Sequence, residues 1–103
     1  MSDEPITGRT LRWSYVDGPV AGQKFEHVFG SDGMVIYRQA GGAASENPVH
    51  YEVARVGDDV YAVSYLSTNT WTLTTVIDMR TRAIVSFASN EKQLFVQRGS
   101  LDP

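Results

Sequence analysis

Eight short strand-like runs, separated by turn signals, fill almost the whole chain and leave no convincing helix. They are Thr10–Tyr15, Lys24–Phe29, Met34–Arg38, Val49–Val56, Val60–Leu66, Trp71–Asp78, Ala83–Ala88 and Leu94–Arg98. An antiparallel meander of eight strands tends to close on itself, because closure removes both exposed sheet edges. A closed barrel of that size is either filled by its own side chains or just wide enough to hold one small ligand. The expected fold is therefore all-β: a single eight-stranded antiparallel up-and-down barrel over residues 9–103. A polar, loosely held lead-in is expected over residues 1–8.

Period-two alternation sorts the faces of several runs. Leu11, Trp13 and Tyr15 share one face of the first run, and Phe25, His27 and Phe29 share one face of the second. Val35 and Tyr37 go together in the third, and Val49, Tyr51 and Val53 in the fourth. The fifth run is apolar on both sides, with Tyr61, Val63 and Tyr65 against Val60, Ala62 and Leu66. A strand of that kind calls for a covering surface, and a second copy of the chain in a homodimer would supply one. In the sixth run Trp71, Leu73 and Ile77 oppose Thr72, Thr74, Val76 and Asp78. Turns are read at Asp17-Gly18-Pro19, Ser31-Asp32-Gly33, Gly57-Asp58-Asp59 and Met79–Arg82, with one helical turn expected at Ser89–Gln93. The longest connection, Gln39–Pro48, carries Gly41-Gly42-Ala43-Ala44 and reads as a lid at one mouth of the barrel, or as a plain surface loop.

Composition excludes several function classes. The net charge is −3 and no Lys/Arg stripe appears, which argues against a nucleic-acid partner. No apolar run is long enough to span a bilayer, so no membrane partner is expected. The absence of cysteine rules out disulfides, thiolate metal sites and cysteine nucleophiles. Met1-Ser2-Asp3-Glu4-Pro5 lacks the basic and apolar regions of a signal peptide, so a cytoplasmic location is expected.

Three stretches carry a family resemblance. They are Gly8-Arg9-Thr10-Leu11-Arg12-Trp13, Tyr51-Glu52-Val53 followed by Asp59–Tyr65, and Phe87-Ala88-Ser89-Asn90-Glu91-Lys92. Together they resemble the MoaF-like proteins, small calycin or lipocalin-like barrels named after a molybdenum-cofactor-biosynthesis accessory protein. The shared features are aromatic and strand-forming patterns rather than a catalytic signature. The resemblance implies a calycin-like barrel. Many small barrels of that class bind a hydrophobic or aromatic ligand inside, and some, such as phenolic acid decarboxylases, do cofactor-free chemistry there.

The candidate site residues follow from the inward faces. His27 sits between Phe25 and Phe29, so its imidazole either meets a buried partner such as a Tyr or a main-chain carbonyl, or serves a ligand as a catalytic acid or base. Trp13, Tyr37, Tyr51, Tyr61, Tyr65 and Trp71 either line a ligand site with flat walls and hydroxyl handles or fill the core. Arg38, Glu52 and Arg98 are the ionisable residues that strand geometry brings to a barrel mouth, where Arg38 is a candidate ligand contact. With Tyr51 pointing inward, Glu52 points out and reads as part of a solvated pair. His27 and His50 lie on different strands at no ligand-like spacing, so no metal and no other cofactor is expected.

Three functions remain. The barrel holds a small apolar or aromatic molecule in its interior. Alternatively it is a cofactor-independent enzyme, a cyclase, isomerase, dehydratase or decarboxylase, with His27 or a Tyr moving the proton. Or the interior is solid and the chain is a partner-binding subunit.

Overall fold

A computed structural model describes residues 5–39, 48–67 and 70–102. Its eight strands are β1 (Thr10–Tyr15), β2 (Lys24–Phe29), β3 (Met34–Gln39), β4 (Val49–Gly57), β5 (Val60–Leu66), β6 (Thr72–Asp78), β7 (Ala83–Ser89) and β8 (Leu94–Leu101). Each strand pairs antiparallel with its neighbour in the chain, and β1 pairs with β8, so the sheet closes into a barrel. The expected all-β fold is what the chain adopts. No helix among the described residues is long and apolar enough to cross a membrane.

β8 runs beyond Arg98, paired with Ile84 and Ala83 of β7 on one side and with β1 across the closure on the other. Gly99-Ser100 carries no local strand signal, yet Gly99 lies opposite Tyr15, Ser100 opposite Ser14 and Leu101 opposite Trp13. The pairing partners, not the local sequence, make these residues a strand. The Ser89–Gln93 connection is a tight hairpin rather than a helical turn. The Asn90 carboxamide oxygen accepts from the Lys92 and Gln93 N–H groups at 2.8 Å, which closes an Asn-capped turn.

One half of the barrel is filled. At the end carrying the β2–β3, β4–β5 and β6–β7 turns, Leu11, Phe29, Val35, Tyr51, Tyr61, Ile77, Ile84 and Leu101 form a single apolar cluster. Ile6 belongs to it and is fully buried. The expectation of a loose lead-in over residues 1–8 therefore fails at Ile6, because an isoleucine held under the barrel removes about 2 kcal/mol worth of apolar surface from water. The Tyr51 hydroxyl donates to the Gly30 carbonyl at 2.8 Å and ties β4 to the β2–β3 turn. Tyr51→Phe is expected to cost about 1 kcal/mol, read as a lower urea midpoint with an unchanged slope.

The β3–β4 ladder is thin. Only Met34 with His50 and Val35 with Val49 are paired, so Ile36–Gln39 runs free of β4. The lid expected between Gln39 and Pro48 rests on residues 40–47, which lie outside the described residues. On the outer face of β5, Val60 and Ala62 are half-buried and Leu66 is exposed.

Candidate functional site: a cavity in the open half of the barrel

The other half of the barrel is hollow. A cavity of about 490 Å³ lies at the end where β1 meets β2 and β5 meets β6. That volume falls in the range of about 300–1,000 Å³ usual for small-molecule sites. Phe25 and His27 of β2, Tyr37 of β3, Tyr65 of β5 and Leu73 of β6 wall it. Trp71 and Phe95 stack at its rim with ring centroids 5.6 Å apart. Pro19 and Val20, from the β1–β2 loop, close part of the mouth. That loop can sit down on β8 because residue 18 is glycine: a Cβ there would come within 2.7 Å of the Gln97 Cβ.

Five of the candidate residues stand in this wall: His27, Tyr37, Tyr65 and Trp71, and Arg38, which is of opposite parity to Tyr37 on β3. Trp13, Tyr51 and Tyr61 do not line it. They point inward too, but Tyr51 and Tyr61 sit lower, in the filled half, and Trp13 lies beneath His27. The three ionisable candidates are not brought together. Arg38 pairs with Glu26 at 2.8 Å, Arg98 with Asp17 at 3.2 Å, and Glu52 with His50 on the outer surface. Arg12 joins Glu26 from the other side at 2.6 Å, so one carboxylate serves two guanidinium groups and Arg38 leaves net positive charge at the rim.

His27 is held in a stack of rings. Trp13 lies 4.2 Å from it, nearly parallel, and Phe29 lies 5.6 Å away. Its Nε2 meets the Tyr65 hydroxyl at 2.7 Å, while Nδ1 is buried with no hydrogen-bond partner among the described residues. Burial without a carboxylate nearby pushes the imidazole down to about pKa 3. Burial, with smaller contributions from Tyr15 and Tyr37, raises the Tyr65 phenol well above 10. The pair is thus neutral across the physiological range. His27 stands in the cavity wall with Nε2 engaged by Tyr65.

A second polar group crosses the wall where sequence reading placed none. The Trp13 indole N–H donates to the Tyr15 hydroxyl at 2.9 Å, Tyr15 meets the Ser86 hydroxyl at 2.8 Å, and Ser86 meets Thr75 at 2.8 Å. Burial raises the Tyr15 phenol, against opposing hydrogen bonds from Ser86, Trp13 and Thr75. Tyr15, Thr75 and Gln97 line the cavity, and Ser86 lies behind them. Thr75 carries a signal the sequence offered: it shares strand parity with Leu73 and Ile77. Among the described residues no group of three or more His, Asp or Glu side chains stands close enough to hold a metal ion.

The family model for the MoaF N-terminal domain matches residues 2–93. Among solved structures, a crystal structure described as "a putative beta-lactamase from Burkholderia vietnamiensis" is similar over 99% of this chain and 98% of that one. Its TM-score is 0.80 and its identity 20%, a likeness of fold. No curated protein matches the chain.

Proposed function

The chain belongs to the MoaF N-terminal domain family, and from that premise we propose that it is a binding module whose barrel holds a small apolar or aromatic molecule in its open half. The observation that carries this reading is the cavity of about 490 Å³, walled by rings and opening at one end. Rings on the wall give an aromatic guest offset-stacked and edge contacts, each contributing about 0.5–1.5 kcal/mol beyond the area it buries. Rings and aliphatic side chains make up most of the wall's surface, with polar groups such as Thr75 and Gln97 set among them, as suits a site that draws affinity from apolar burial and orientation from a few polar contacts.

Acid–base turnover is less well supported. A general base needs a proton affinity near the working pH and a route to the substrate. His27 lacks the first, since burial holds it near pKa 3, and its Nε2 is already engaged by the Tyr65 hydroxyl. Hydrolysis through a serine nucleophile lacks support as well: Ser86 is 1% exposed and hydrogen-bonds hydroxyl groups of Tyr15 and Thr75, with no basic partner.

Intrinsic fluorescence tests the binding reading. Trp71 sits on the cavity rim, and Trp13 lies beneath His27 out of reach of a guest. Titration with anilinonaphthalene sulfonate should give a saturable blue-shifted dye emission together with quenching of tryptophan. Trp71→Phe should remove most of that quenching. If neither the dye nor a panel of aromatic acids produces a saturable change, the cavity is not a binding site and the reading falls.

A further inference from the structure

We propose that the cavity recognises an uncharged acceptor oxygen, a ketone or aldehyde carbonyl on an aromatic ring system, at a polar belt formed by Tyr15, Thr75, Ser86 and Gln97. This rests on the binding function proposed above and adds the chemical class of the guest. The belt follows from strand register. Thr75 of β6 lies opposite Ser86 of β7, and Ser86 lies opposite Gln97 of β8. Tyr15 of β1 lies opposite Gly99, two residues further along β8. Three adjacent strands therefore put a polar side chain at one height inside an apolar wall.

Proton counting shows what the belt offers. Trp13 N–H can only donate, so Tyr15 accepts from it. The four groups Trp13, Tyr15, Ser86 and Thr75 carry one polar hydrogen each and share three hydrogen bonds. One hydrogen is left over. If the hydroxyl bonds run from Tyr15 to Ser86 to Thr75, the spare hydrogen is on Thr75. If they run the other way, it is on Tyr15. Both of these residues face the cavity, whereas Ser86 does not. A third arrangement, with Tyr15 and Thr75 both donating to Ser86, leaves the spare hydrogen on Ser86 behind the wall; the two head-to-tail arrangements turn a free donor to the cavity, and an acceptor on the guest favours them. Beside these groups, Gln97 is only 6% exposed and lines the cavity. Its NH₂ is a second donor for the same oxygen. A buried donor without a partner is costly, so a guest that brings an acceptor is favoured over one that does not. No cationic side chain stands at the belt, and Arg38 sits at the rim. An anion at the belt would be desolvated without a counter-charge, which makes the preferred acceptor a neutral carbonyl.

The test compares two probes of one shape, acetonaphthone and ethylnaphthalene, by competition against the bound dye. The wild-type chain should prefer the ketone by about fivefold or more. Tyr15→Phe and Thr75→Val each remove one oxygen, but each still lets the spare hydrogen sit at the other residue. Each alone should lower the preference less than twofold. The double variant removes both places and should lower it at least threefold. Gln97→Met, which keeps the side-chain length, should lower it independently, and it carries the test if the double variant does not fold. Thr74→Val, on the outer face of β6, should leave the preference as in the wild type. Equal affinity of the wild-type chain for the two probes overturns the proposal while the cavity reading stands. A preference that survives both the double variant and Gln97→Met also overturns it. If neither probe displaces the dye and the dye itself does not bind, the binding function falls and takes this inference with it.

Discussion

Gly99→Ala is expected to open the barrel seam and lower stability by about 3 kcal/mol or more. A Cβ at this position would lie 1.9 Å from the Ser14 carbonyl oxygen, 2.8 Å from its carbon and 2.9 Å from the Tyr15 Cα. All three are backbone atoms of β1, so no side chain can swing aside to make room. The strand must move instead, and the seam has little to spare. It consists of three residue pairs, flanked by the Val16 N–H to Arg98 carbonyl and Asp102 N–H to Arg12 carbonyl hydrogen bonds, each at 2.8 Å. In a domain of this size the loss corresponds to a fall of about 10–20 °C in melting temperature. Gly57→Ala is the matched control. Its Cβ would meet nothing nearer than Val60 at 3.8 Å, and a change within about 0.5 kcal/mol is expected. Differential scanning calorimetry of the two variants decides the matter: similar melting points would mean that the β1–β8 contact can relax without cost. Hydrogen exchange should also show β1 and β8 amides losing protection first in Gly99→Ala.

The same seam marks the limit of what the sequence displays. Seven hairpin-connected pairings are local, and alternation exposes their strands from β1 to β8. The eighth pairing joins the two ends of the barrel, and nothing in Gly99-Ser100 announces it. Inner faces were legible where one face is clearly wetter, as in Leu11-Trp13-Tyr15 against Thr10-Arg12-Ser14. They were not legible in β7. There Val85 and Phe87 look like the core face, yet Ile84, Ser86 and Ala88 turn inward and Phe87 is 41% exposed. The inward face is the more polar one because Ser86 completes the hydrogen bonds of Tyr15 and Thr75, a reason invisible until three strands are aligned. Height along the barrel is the other missing coordinate. Tyr37 and Tyr65 wall the cavity while Tyr51 and Tyr61 fill the closed end, and parity alone treats all four alike. His27 was legible as an inward residue between two phenylalanines. Its partner Tyr65, 38 residues away, required the barrel to be closed.

That histidine gives the chain a mild-acid weakness whose window can be stated. In the unfolded chain an imidazole titrates near 6.5, whereas in the folded barrel His27 is held at about 3. Its neighbours are Trp13, Phe29, Tyr37 and Tyr65, all uncharged rings, so nothing repays the desolvation of an imidazolium. Between those two values the unfolded state binds one more proton than the folded state. Stability is therefore full above pH 6.5 and falls by about 1.4 kcal/mol for each unit the pH drops, about 5 kcal/mol over the whole window. The carboxylates act lower down. Backbone N–H groups of Arg98 and of Thr81 hold Asp17 and Asp78 below their usual 3.8, so their contributions are lost only as the pH falls below about 4. The interval from pH 6.5 to 5 thus lies above the range of these carboxylates. Urea midpoints across it should fall by the equivalent of about 2 kcal/mol in the wild-type chain. His27→Gln keeps a donor and an acceptor for Tyr65 but cannot take up a proton. It should be less stable at pH 7.5, having lost the ring stack, and nearly flat between pH 6.5 and 5. A slope of the wild-type size in that variant would assign the acid sensitivity to another group, and a flat wild-type profile would mean that His27 finds a solvated or paired state on protonation.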